Sequence, residues 1–186
     1  MPSAEEFKTN FAGHAVPAEL EKLRAFEERA DGQYFSESFE LTVDDKSGLK
    51  TWSDDATFLA ALMPFAQANG SGSFYALWAN GAPPSEMPVV VFGDEGGAYV
   101  VAENVRGLLS LLSYDAEPTV DDEGVTFFKD EDDEDREDSD AHETYVEWLH
   151  KSFRLSAIDE AESIVETAQE KHGAAFKIWL KQYAES

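Results

Sequence analysis

The sequence predicts an α+β fold: a mostly antiparallel sheet with helices packed on it, and a C-terminal helical extension. Three observations carry that expectation. Short apolar runs at Phe74–Trp78, Val89–Phe92 and Ala98–Ala102 are separated by glycine-bearing turns too short for a parallel crossover. Apolar residues recur with the helical period after Pro17, after Asn104 and again beyond residue 142. The chain of 186 residues is 42% apolar, enough for one real core.

Residues 1–16 carry little pattern. Pro17 suits the first position of a helix, Leu20 and Leu23 share one of its faces, and Val16 is placed to staple against Leu20. The helix fades near Glu28, and Asp31-Gly32 marks a turn. From Tyr34 to Val43, Phe35, Phe39 and Leu41 alternate with polar residues such as Glu37, as in a strand. A turn is expected over Asp44–Gly48. Ser53 reads as an N-cap, with Asp54 and Asp55 in the favoured first turn of a helix striped by Phe58, Leu59, Leu62 and Met63. Pro64 is expected to end it.

Asn69–Gly72 reads as a loop. Ser73–Trp78 reads as a strand buried on both faces, because Phe74, Tyr75, Leu77 and Trp78 leave little polar surface. Val89–Phe92 and Ala98–Ala102 form a hairpin across Gly93–Gly97. Asn104 then caps a helix carrying Val105, Leu108, Leu109 and Leu112. Gly107 weakens that helix by about 1 kcal/mol relative to alanine, which points to close packing against the sheet.

At Asp115 the character changes. Residues 130–140 hold nine carboxylates and one arginine, a net −8, so −17 remains on the rest of the chain. Like charges at that density repel, and a flexible acidic linker is expected over 115–141. Beyond it, Tyr145, Trp148, Leu149 and Phe153 mark one helix. Ser156 with Asp159 resembles a capping box opening a second, with Ile158, Ala161, Val165 and Ala168. Gly173 then interrupts, and Phe176, Trp179, Leu180 and Tyr183 form a third stripe. The expected organisation is a domain at 1–114, the linker, and a helical segment at 142–186 packing on the core.

Charge and composition narrow the function classes. The net charge of −25 repels nucleic acid and anionic lipid and speeds encounter with basic proteins; solubility or a salty habitat would also explain it. No run is apolar enough to cross a membrane, and MPSAEEFK lacks the pattern of a signal peptide. With no cysteine there is no disulfide or thiolate chemistry, and a cytoplasmic location is the simplest expectation.

Residue patterns for catalysis are wanting. With 39 acidic residues, any carboxylate pair is uninformative as a general acid and base. His14, His142, His150 and His172 are scattered, and Glu143, Glu147 and His150 read as a solvated helix face rather than a metal site. The acidic run lacks the sixth-position glycine of an EF-hand. Phosphate loop, dinucleotide fingerprint and nucleophile elbow are missing. Residues 51–105 contain no lysine or arginine to clamp an anion. No catalytic residue, cofactor or metal is therefore expected. The candidate partner-binding residues are Trp52, a tryptophan in a polar stretch, Asp54 and Asp55 just after it, and Asp94 and Glu95 on a tight turn between glycines.

Several of these segments together resemble the SUKH superfamily of small α+β domains. The resemblance covers roughly residues 16–114. It rests on the order of Val16-Pro17 opening a helix, Pro64-Phe65-Ala66, the glycine turn and aromatic strand of Gly70–Trp78, the Pro88–Gly93 strand, and the closing helix. It implies a binding domain, of which many bacterial members are immunity proteins that block toxins. With the charge, the expected partner is a basic, nuclease-like toxin. A regulatory or scaffold module of the same fold is the alternative, and a metal-assisted hydrolase using the surplus carboxylates is a third reading.

Overall fold

A computed structural model describes residues 1–11, 13–129 and 137–184. Its centre is a five-stranded antiparallel sheet in sequential order: β1 (Glu40–Leu41), β2 (Leu62–Gln67), β3 (Phe74–Trp78), β4 (Val89–Phe92) and β5 (Ala98–Ala102). The chain is α+β, as the alternation of short strands and helical stripes predicts.

The pleat sends successive side chains to opposite faces. Val89 and Val91 join Tyr75, Leu77 and Val101 on a first face. Val90 and Phe92 join Ala76, Trp78 and Val100 on a second. Both faces are covered, which explains why these strands read as continuous apolar runs.

The first face is covered by α1 (Ala4–Lys8), α2 (Ala18–Ala30), α5 (Val105–Leu112) and α6 (His142–Phe153). Leu20 and Leu23 of α2 are fully buried there, and Val16 packs against the same cluster. Asn104 caps α5 by accepting from the Gly107 amide at 3.0 Å. A Cβ on Gly107 would lie 3.3 Å from that of Ala102, so close helix–sheet packing does account for the glycine. The first helix was not expected. It opens with a capping box, in which Ser3 Oγ accepts from the Glu6 amide while Glu6 accepts from the Ser3 amide.

Four local expectations are corrected. The strand foreseen over Tyr34–Val43 shrinks to Glu40–Leu41, because Ser38 takes a left-handed turn (φ 51°), although Phe35, Phe39 and Leu41 are buried. The cap of α4 (Ala56–Ala60) is Asp55 rather than Ser53: its carboxylate accepts from the Thr57 and Phe58 amides at 2.7 and 3.1 Å. Asp55→Ala is expected to cost about 1 kcal/mol in urea unfolding, and Ser53→Ala under about 0.5 kcal/mol.

Pro64 does not end a helix. It lies within β2, where the register with β3 shifts between Pro64 and Ala66. A bulge tolerates a residue that cannot donate to the ladder. Ser156 and Asp159 open no helix; α7 (Glu162–Ala168) begins later, after Ala161.

The linker expected over 115–141 is also corrected over its described part. Residues Pro118–Val120 (β6) and Val125–Phe127 (β7) pair as a hairpin, and Val120 and Phe127 are buried in the first-face core. Asp115 is fully buried and accepts from the Ser139 amide and hydroxyl at 2.8 and 2.7 Å. Lys129 sits 3.5 Å from Asp138 and donates to the Tyr114 carbonyl. Residues 130–136 of the acidic run lie outside the described residues.

The C-terminal helices pack on both faces of the core. Tyr145, Leu149 and Phe153 of α6 pack on the first face. Gly173 does not break the chain's helical course: a π-helical turn, Gln169–Gly173, joins α7 to α8 (Ala174–Leu180). The wider turn shifts the phase of the apolar stripe. Ala161 and Val165 serve the first-face core, whereas Ala168, already before that turn, and Phe176 after it serve the second. This helix crosses the outer edge of β5, and Gln169 Nε2 donates to the Val100 carbonyl at 3.3 Å. Among the described residues, no helix is long and apolar enough to cross a membrane.

Candidate functional site

A large concavity follows from that crossing. Where α8 leaves the β5 edge, a groove of about 860 Å³ opens between the helix, the β4–β5 turn and Trp52. Phe176, Tyr99 and Trp52 supply its aromatic surface, Asp94 and Asp122 its acidic groups, and Lys177 of α8 with Lys181 just after it its cations.

Trp52 is half-buried, not a free-standing anchor. Its ring packs edge-on against Phe92, with centroids 5.2 Å apart. Its fixed position lowers the entropy lost when a partner covers it. The other tryptophans are core or near-core residues. Trp78 is buried, and Trp179 packs on Trp78 and Phe58 at 5.5 Å in each case. Trp148 packs on Phe26 at 4.9 Å.

Asp94 is held by the loop before β3. Its carboxylate accepts from Ser73 Oγ at 2.6 Å and Ser71 Oγ at 3.1 Å, and its amide donates to Ser73 Oγ. The Ser73 hydrogen bond, seconded by Ser71, holds the carboxyl below its ordinary pKa. Buried Asn69 organises that loop: its Oδ1 accepts from the amides of Ser71, Gly72 and Ser73, and its Nδ2 donates to the Pro118 carbonyl at 3.0 Å. Gly97 permits the other approach. At φ 72° it sits where a Cβ would come within 2.1 Å of the Asp121 carbonyl. Tyr99 Oη donates to that same carbonyl at 2.8 Å.

Of the five residues expected to meet a partner, the groove brings together Trp52 and Asp94. Glu95 is exposed on the adjoining turn. Asp54 and Asp55 stand at the start of α4 and do not line the groove, and Asp55 is spent on capping. Phe176, Lys177 and Asp122 were missed because they converge from segments about 50 residues apart. The signal for Asn69 was local, an Asx-type turn in Asn-Gly-Ser-Gly.

The histidines do not converge. His142 Nδ1 lies 3.2 Å from the Phe35 carbonyl and 3.9 Å from Asp115, while His14 and His150 are exposed. Burial, seconded by Lys171, lowers the pKa of His172. Among the described residues, no three His, Asp or Glu side chains gather into a group that could hold a metal ion.

Comparisons with models of protein families, with curated proteins and with solved structures found no match for this chain.

Proposed function

We propose that this protein is a cytoplasmic, non-enzymatic binding module of SUKH type, acting as an immunity protein that occludes a basic, nuclease-like toxin. The observation that carries the reading is the net charge of −25, beside a groove in which a fixed tryptophan stands among two carboxylates and two lysines. A nuclease needs a cationic surface to hold phosphates. An acidic protein competes for that surface, charge setting the rate of encounter and the aromatic contacts the rate of release. The family part of the reading rests on the order of motifs between residues 16 and 114.

The test is capture from native lysate by tagged protein, stepwise salt elution, and assay of the eluted partner. A stoichiometric basic nuclease, inhibited by the bound chain, is the expected result. A partner whose nuclease activity survives in the saturated complex overturns the inhibitory mechanism. With such a partner in hand, Trp52→Ala is expected to speed dissociation by about tenfold or more, with the association rate nearly unchanged, as measured by surface plasmon resonance.

A further inference from the structure

We propose that the outer edge of β5 at Ala98 takes an extended segment of a partner protein, rich in arginine or lysine, as a short added strand. This rests on the reading of the chain as a binder of a basic protein and gives that binding a place and a geometry.

β5 ends the sheet order, so one of its sides faces no strand. The register pairs Phe92 with Ala98 and Val91 with Tyr99, and the Gly93 amide donates to the Gly97 carbonyl. In an antiparallel ladder this directs the backbone groups of Gly97 and Tyr99 toward β4 and those of Ala98 and Val100 outward. The Val100 carbonyl meets Gln169 under the helical crossing. The Ala98 amide and carbonyl lie beyond that cover, on the groove side. The chain therefore protects one end of an edge strand and leaves the other beside a groove, where strand addition operates.

The surroundings specify the occupant. Ala98 and Val100 point to the second face and Tyr99 to the first. In an added strand, the residue opposite Ala98 points toward the second face, where Trp52, Phe176, Lys177 and Lys181 line the groove. Its two neighbours point toward the first face, where the Tyr99–Asp121 bond holds the β6–β7 turn carrying Asp122 and exposed Glu123. An apolar residue suits the former position and a cation the latter. Lys177 and Lys181 repel a cation placed in the wrong register. Alternating basic and apolar residues are the matching pattern.

The probe is a synthetic decapeptide of alternating arginine and valine, titrated into the intact 186-residue chain and followed through its backbone amide NMR signals. Saturable shifts at Ala98 and Val100 are expected. A peptide N-methylated at alternate residues and the Asp122→Lys protein are each expected to bind about tenfold or more weakly. Ala98→Pro, checked for folding by circular dichroism, removes the outward amide and should abolish binding; Asp122→Lys carries the test if that variant does not fold. Saturable binding that maps elsewhere, or that N-methylation leaves unchanged, overturns the edge proposal while the basic-partner reading stands. Equal binding of a glutamate–valine decapeptide, or no binding of either, overturns both.

Discussion

A chain cut to residues 1–114 is expected to lose cooperative folding altogether, although it holds the whole five-stranded sheet. The reason is what the remaining residues cover. On the first face, Val120, Phe127, Tyr145, Leu149 and Phe153 are all buried in the same cluster as α2 and α5. On the second, Phe176 packs on Trp78 and Phe92 at 5.2 and 6.4 Å, and Trp179 stacks on Phe58. Each large apolar side chain buried is worth about 1.5–3 kcal/mol. Losing six of them forfeits about 9–18 kcal/mol, as much as the roughly 5–15 kcal/mol by which whole domains are stable. Truncation would also bare the β5 edge along its length. Urea unfolding and amide signal dispersion check this: a broad, non-cooperative transition with collapsed dispersion is expected. A sharp transition in the truncated chain would show that the C-terminal helices are an appendage, and would make deletion a clean test of which part binds.

The second large effect belongs to Glu27. This residue of α2 is only 8% exposed; its Oε1 accepts from the Leu41 amide at 3.1 Å, and its Oε2 is buried without a hydrogen-bond partner among the described residues. Desolvation pushes its carboxyl from 4.5 up to about 7, with neighbouring Glu40 adding to the rise while the Leu41 amide and Arg24 oppose it. Between those two values the folded state holds a proton that the unfolded state has lost, so stability falls as pH rises. The fall is about 3 kcal/mol, absent below pH 4.5 and complete above pH 7. The many other carboxylates also titrate, so the informative quantity is the stability difference between wild type and Glu27→Gln. That difference should shift against wild type by about 3 kcal/mol between pH 4.5 and 8 in urea unfolding. A difference flat across that range would show that Glu27 is not the titrating group. The amide of Leu41, in a strand of two residues, is the local reporter: between pH 4.5 and 7 its hydrogen exchange should quicken beyond the intrinsic rise in wild type and not in the variant.

Much of this architecture was legible from short stretches of sequence. Val89–Phe92 and Ala98–Ala102 are bounded by glycines, and the turn between them has no room for anything but a hairpin. Asn104 and the Val105–Leu112 period mark α5 at both ends. Even the unexpected α1 is announced by Ser3 and Glu6, a capping pair three residues apart. Two of the errors share one cause. Phe58, Leu59, Leu62 and Met63 satisfy a helical stripe, yet the chain turns at Ala61, whose carbonyl accepts from Ala79, and continues as β2 against β3. Helical spacing cannot foresee that competing strand partner. Asp115–Lys129 likewise looked like open chain because its contacts, with Ser139 and the first-face core, lie outside any local window.

The candidate site was still less legible. Trp52 and Asp94 were visible as a tryptophan in polar surroundings and an acid on a glycine turn, but neither makes a site alone. Phe176 and Lys177 reach the same groove only because the C-terminal helix crosses the sheet edge at β5. By itself the sequence determined the β4–β5 hairpin, the capped α5, the apolar runs of the central strands and the net charge, because periodicity, turn chemistry and composition are local or summed properties. Only the tertiary structure decided that Pro64 lies in a strand, that the C-terminal helices serve opposite faces, and that a groove opens beside Ala98. Those depend on which distant surfaces bury one another best, a choice made by packing across many residues of separation.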